Sequence, residues 1–242
     1  MRDRLFVALD VDSLDDAARL LDRLEDAVTG VKIGSQLFTS AGPAAVELAQ
    51  KRGHRVFLDL KFHDIPNTVA GAVRSAARLG VFMLNVHASG GLQMMRAAAD
   101  SAAQAARDFG VTRPICLGVT VLTSLDRRTL ETEVGVTASV DSHVLRLAEA
   151  AGQAGLDGCV ASPQEIRRIR LALGSRFAIA TPGIRPATTA TEDDQKRVAT
   201  PRAALEAGAD YLVVGRPITA ARDPKGAAAA IIAELERGRP AG

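Results

Sequence analysis

Short apolar runs rich in β-branched residues alternate along the chain with longer segments whose apolar positions recur every three or four residues. These are the periods of buried strand and amphipathic helix. LFVALDV, at 5–11, predicts a first strand. A helix follows from Ser13, where SLDD supplies a cap and acids in the first turn. GVKIG precedes a helix over about 43–52, and RVFLDLKF precedes IPNTVAGAVRSAARLG. VFMLNVHA precedes GGLQMMRAAADSAAQAARDFG, and PICLGVTVL leads through a polar excursion to VDSHVLRLAEAAGQAG. DGCVAS, RFAIATPG and DYLVVGRPI are each followed by another helical segment. Several helices end in Gly just before the next strand, as a helix stop requires. Within the excursion, DRRTLETEVG at 126–135 has a composition that allows a short extra helix.

Strands separated by helices pair in parallel. The eight strand-first units fit either an open doubly wound sheet or a closed barrel. The open sheet is disfavoured, because no G-x-G-x-x-G turn follows the first strand. Polar residues instead gather where strands end: Asp10, Lys32, Asp59, Lys61, Asn85, His87, Thr120, Thr123, Arg185 and Arg216. A (β/α)8 TIM barrel builds its active site at that rim. With no linker or break in composition, residues 1–242 read as a single (β/α)8 barrel domain.

Composition narrows the partners. The 242 residues are 47% hydrophobic, enough for a large core, and the formal net charge is only +2. The 30 lysines and arginines are scattered rather than clustered, so nucleic acid and membrane surfaces are not expected partners. No apolar run approaches the roughly 20 residues of a membrane span. LFVAL is too short for a secretory signal and runs into Asp10, so a cytoplasmic location is expected. Cys116 and Cys159 lie in apolar strand-like runs and read as small buried hydrophobes.

The strongest chemical signal is DLKFHDIPNT, residues 59–68. Side chains alternate along a strand, so Val56, Leu58, Leu60 and Phe62 share one face while Phe57, Asp59 and Lys61 share the other. The apolar face should meet the helices, and the charged face should look into the barrel mouth. By the same parity Asp10 shares a face with Phe6 and Ala8, and Lys32 falls near the end of the second strand. A structural ion pair would account for Asp59 and Lys61 alone. Four alternating charges on one rim form instead a field suited to an anionic substrate and to proton delivery. TPGIRP and VVGRPI follow strands seven and eight, where barrels of this kind often hold phosphate. Gly183 and Gly215 allow close backbone approach there, and Arg185 and Arg216 add forked donors. The polar segment ATTATEDDQKRVATP between them reads as a mobile loop able to act as a lid.

FVALD, VKIG, DLKFHDIPNT, VTVLTS, TPGIR, DDQKRVATP and VVGRPI, in this order, closely resemble the orotidine 5′-phosphate decarboxylase family across nearly the whole chain. The resemblance implies cofactor-free and metal-free loss of CO2 from orotidine 5′-monophosphate to give UMP, the last step of de novo pyrimidine synthesis. It implies a homodimeric barrel in which Lys61 donates a proton to C6 and Asp59 sits beside the departing carboxylate. Asp10 and Lys32 would hold the ribose hydroxyls, with Lys32 also bonding Asp59. Asp64, Ile65 and Thr68 would reach into the partner subunit's site. Thr123 would read the pyrimidine. Arg185, Gln195, Gly215 and Arg216 would hold the phosphate, Gln195 from the lid, and Pro182 of TPGIR would be a substrate-binding residue.

Three other readings remain. Hexulose-phosphate synthase and keto-gulonate-phosphate decarboxylase relatives share a D-x-K-x-x-D block but use Mg2+ held partly by an acid near the end of strand two, where this chain has Lys32. A Schiff-base aldolase needs a neutral lysine, which the neighbouring acids oppose. A non-catalytic nucleotide-binding barrel would not need the full charged rim. His63 and His87 read as hydrogen-bonding rim residues rather than metal ligands, and His54 and His143 as helix-end or surface residues.

Overall fold

A computed structural model describes residues 1–186 and 197–237. Eight parallel strands form a closed barrel in sequence order: β1 (Leu5–Ala8), β2 (Gly30–Gly34), β3 (Arg55–Phe62), β4 (Met83–His87), β5 (Ile115–Val119), β6 (Gly158–Val160), β7 (Ala178–Thr181) and β8 (Tyr211–Val214). Closure comes from pairing of β8 with β1, Leu212 facing Leu5. The expected TIM barrel is what the chain forms.

The connecting helices are α1 (Leu14–Leu24), α2 (Ser35–Ala41), α3 (Pro43–Lys51), α4 (Pro66–Arg78), α5 (Gly91–Phe109), α6 (Arg127–Thr132), α7 (Val140–Gln153), α8 (Ile166–Leu173), α9 (Pro201–Ala207), α10 (Arg216–Thr219) and α11 (Pro224–Arg237). Local chemistry starts several of them. Side-chain oxygens of Ser13, Asp126, Ser139 and Thr200 accept from backbone N–H groups three residues on, satisfying donors that have no partner within the helix. Pro opens α3, α4 and α9, where its missing N–H costs nothing. The allowed helix in the excursion is α6. Two short helices, α2 and α10, were not legible. At seven and four residues they hold too few apolar positions to show a helical period.

Two apolar layers follow from strand alternation. Leu5, Val7, Val56, Leu58, Leu84 and Val86 face outward into the helix layer, with Leu60 and Phe62 packed against it. Phe6, Ala8, Phe57, Met83, Leu117, Ala180 and Val213 fill the barrel interior. The N-terminal end of the barrel holds Phe6, Phe82 and Tyr211 with centroids 5.8–5.9 Å apart. The Arg55 guanidinium lies 4.3 Å from the Phe82 centroid. That end is filled, so open space is left at the C-terminal ends of the strands.

His54 stands just past the end of α3, as the helix-end reading has it, but is buried, 6% exposed, where the chain passes into β3 through Gly53 in the left-handed region (φ 82°). Burial lowers its pKa. Among the described residues, no helix is long and apolar enough to cross a membrane.

Candidate active site

The register between β3 and β4 skips at the rim. Leu58 pairs with Leu84 and Phe62 with Val86, so Asp59, Leu60 and Lys61 face Asn85 alone. Lys61 takes up the excess with φ 52°, a left-handed backbone that costs a non-glycine residue about 1–3 kcal/mol. The surroundings must hold it, and Asn85 does. Its Oδ1 accepts from the Lys61 backbone N–H at 2.8 Å, and its Nδ2 donates to Asp59 Oδ1 at 2.7 Å. Asn85 itself is fully buried.

Asp59 stands at the centre of a charged chain. Lys61 Nζ lies 2.7 Å from Asp59 Oδ1, and Lys32 Nζ lies 3.4 Å from Asp59 Oδ2 and 2.9 Å from Asp10 Oδ1. Burial by itself would raise the Asp59 carboxyl. The charges of Lys32 and Lys61 and the bonds from Lys61 and Asn85 outweigh it and hold the carboxyl below its ordinary value. Burial would likewise lower Lys32, but Asp59 and Asp10 carry it above the ordinary lysine value. Both groups are therefore ionised at neutral pH. Gly34 is needed beside them, since a Cβ there would sit 2.9 Å from Lys32 Nζ.

The sequence candidates Asp10, Lys32, Asp59, Lys61, Thr123, Pro182, Arg185, Gly215 and Arg216 all line one cavity of about 500 Å3, within the range of small-molecule sites. β7 lies opposite β3 in the strand order. The Lys–Asp chain and Arg185 thus face each other across the mouth. Four cationic side chains against two carboxylates leave the described lining net positive. Asp64, Ile65 and Thr68 are exposed just beyond β3 and do not line the cavity, Ile65 being 67% exposed. Gln195 and most of the expected lid lie outside the described residues.

The His63 and His87 rings lie 5.3 Å apart at the rim. Burial, then His63 and Lys61, lowers the His87 pKa against the opposing pull of Asp59. Among the described residues, no group of three or more His, Cys, Asp or Glu side chains is arranged to hold a metal.

A supporting pair escaped sequence reasoning. Glu165 and Arg197 form an ion pair with side chains only 2% and 8% exposed. Arg197 also donates to the carbonyls of Val121 and Leu122 at 3.1 and 3.0 Å, beneath the cavity-lining Thr123. Nothing local marks partners 32 residues apart. Asn85 did carry a signal: it shares the inner face of MLNVH with Met83, where a polar residue needs a reason.

The family described as "Orotidine 5′-phosphate decarboxylase / HUMPS family" matches residues 3–231. A protein of Moorella thermoacetica named "Orotidine 5′-phosphate decarboxylase" is 55% identical over 97% of this chain and 93% of its own length. This chain belongs to the orotidine 5′-phosphate decarboxylase family. A namesake from Idiomarina loihiensis is 50% identical over 96% of this chain and 97% of its own length. The crystal structure of orotidine 5′-phosphate decarboxylase from Lactobacillus acidophilus superposes with a TM-score of 0.84 at 38% identity, covering 97% of this chain and 99% of the other. An uncharacterized conserved protein from Geobacillus kaustophilus superposes with a TM-score of 0.82 at 39% identity, over 96% and 99% of the two chains. Against the Mg2+-using relatives stands the engagement of Lys32, whose ammonium is paired with both Asp10 and Asp59.

Proposed function

We propose that this chain decarboxylates orotidine 5′-monophosphate to UMP and CO2, without a metal or organic cofactor, as a single barrel domain in a cytoplasmic homodimer. The observation that carries the reading is the Asp10–Lys32–Asp59–Lys61 chain in a cavity that Arg185, beyond β7 opposite β3, and Arg216 also line. A substrate with a carboxylate at the reacting carbon and a remote phosphate matches that spacing of charge.

In the reaction the C6–carboxylate bond breaks and its electron pair stays on C6, an sp2 carbon that cannot pass the charge to a carbonyl. Lys61 is the cation beside that carbon. It stabilises the developing charge and then donates its proton to C6, leaving a neutral amine that regains a proton from water. The buried Asp59 carboxylate opposes the substrate carboxylate and loses that opposition when neutral CO2 departs. The interaction thus favours the transition state over the ground state. Lys32 and Asp10 hold the ribose hydroxyls, Thr123 reads the pyrimidine, Arg185, Gln195, Gly215 and Arg216 hold the phosphate, and Pro182 lines the substrate site. Binding energy from the phosphate supports the chemical step from a distance.

Asp64, Ile65 and Thr68 serve the site of a second copy. Their exposure beside the mouth, with a large apolar side chain at Ile65, supports that role.

The test is a continuous ultraviolet assay with orotidine 5′-monophosphate in excess EDTA, with Lys61→Ala as control. Turnover to UMP that survives EDTA and disappears in the variant is expected. Absence of turnover by folded protein would overturn the reading.

A further inference from the structure

Among the described residues, Asn85 is the one polar side chain that hydrogen-bonds both members of the reacting pair without itself lining the cavity. Its two bonds do different things. The Nδ2 donor fixes which way the Asp59 carboxylate faces. The Oδ1 acceptor takes the Lys61 N–H, which the register skip has removed from the ordinary β3–β4 ladder. Without that acceptor, nothing on β4 compensates the left-handed backbone at Lys61, and the residue can relax toward an extended conformation. Its side chain would then swing off the inner face.

We propose that Asn85 is a positioning residue for the decarboxylation: its amide locks the Asp59 carboxylate and the Lys61 backbone into the one arrangement that points both groups at the reacting carbon. The inference rests on the roles given to Asp59 and Lys61 under the proposed function.

Two properties make the idea specific. Asn is one of few side chains that offer a donor and an acceptor at the spacing used here. Asn85 is also fully buried, so its amide is out of reach of bulk water and depends on these two bonds. A shift of about 1 Å in a reacting group is enough to cost about a hundredfold in rate. Both bonds of Asn85 go to the Asp59–Lys61 end of the cavity, so binding through the proposed phosphate contacts should be spared.

The test compares wild type with Asn85→Ala and Asn85→Asp in the ultraviolet assay across the pH range, with thermal melts to establish folding. In Asn85→Ala, kcat is expected to fall about a hundredfold while KM moves little. Asn85→Asp is nearly isosteric, and its new carboxyl lies against that of Asp59, so the two cannot both ionise easily. Protonated, it donates to Asp59 and accepts from the Lys61 N–H as the amide does. Deprotonated, it can only repel. Its activity relative to wild type is therefore expected to be highest at the acid end and to fall as pH rises. A packing role alone gives no such slope. Wild-type kcat in Asn85→Ala, a loss confined to KM, or a pH profile in Asn85→Asp parallel to wild type would each overturn the proposal. Should Asn85→Ala not fold, Asn85→Asp decides alone. Silence of the wild type itself would instead overturn the functional reading on which the proposal rests.

Discussion

Arg197→Met would leave the Glu165 carboxylate buried and without its cation. The Glu165 side chain is 2% exposed, so bulk solvent does not reach the carboxylate to relieve the loss. Breaking a buried pair from one side costs about 3–5 kcal/mol. The carbonyls of Val121 and Leu122 lose their donors as well, but they adjoin the cavity and can turn to solvent, so the orphaned charge dominates. In a chain of this size each kcal/mol lowers Tm by about 2–4 °C, which gives an expected drop of roughly 6–20 °C. Burial already raises the Glu165 carboxyl, with Arg197 and Ser162 opposing. Without Arg197 the group can escape by binding a proton, so the deficit against wild type should shrink between about pH 8 and about pH 5. The double variant Glu165→Leu/Arg197→Met removes both charges and should melt above Arg197→Met. Melting followed by circular dichroism, at both pH values, reads all of this. A Tm for Arg197→Met within about 2 °C of wild type, or a double variant no more stable than the single, would refute the argument.

Four further outcomes are expected. Arg216→Ala should lower kcat/KM strongly in the ultraviolet assay while its melting curve stays that of wild type, because Arg216 lines the cavity rather than the core and is proposed to hold the phosphate; unchanged kcat/KM would remove it from the site. Gly158→Ala would place a Cβ 2.0 Å from the Ala178 carbonyl oxygen, a rigid strand backbone, and should cost at least about 3 kcal/mol by denaturant titration. The Asp59 carboxyl is depressed in the fold, so its stabilisation is present above its unfolded value of about 3.9 and is lost as pH falls through the lower folded value; Lys32 is raised, so its stabilisation is present below about 10.4 and lost as pH rises through the higher folded value. The pair's stabilisation should thus stay constant with pH between those limits, and a transition near neutrality that disappears in Lys32→Met would contradict it. Burial pushes the Cys116 thiol up to about 12 and Cys159 higher still, so a thiol-exchange reagent should label both only after denaturation.

Much of this protein is written in local pattern. Alternating periods place eight strands before helices, and the absence of a glycine-rich turn after LFVALDV argues for closure rather than an open sheet. Strand parity alone turns Asp59 inward and Leu58 outward, because the two-residue repeat does not depend on what the strand packs against. The caps at Ser13, Asp126 and Ser139 are equally local, being bonds between residues three apart. The polar strand ends therefore marked the rim, and nine of the candidate residues meet in one cavity there.

Other features exist only once distant segments meet. The surplus of β3 over β4 that forces Lys61 to a positive φ is a property of two strands in register, and neither strand shows it alone. Arg197 finds Glu165 from 32 residues away, a separation that no local pattern marks. The sequence by itself determined which residues carry charge and which face of each strand they occupy. Tertiary structure decided what supports them, since a buried hydrogen bond or ion pair is set by the three-dimensional approach of its partners and leaves no period in the chain.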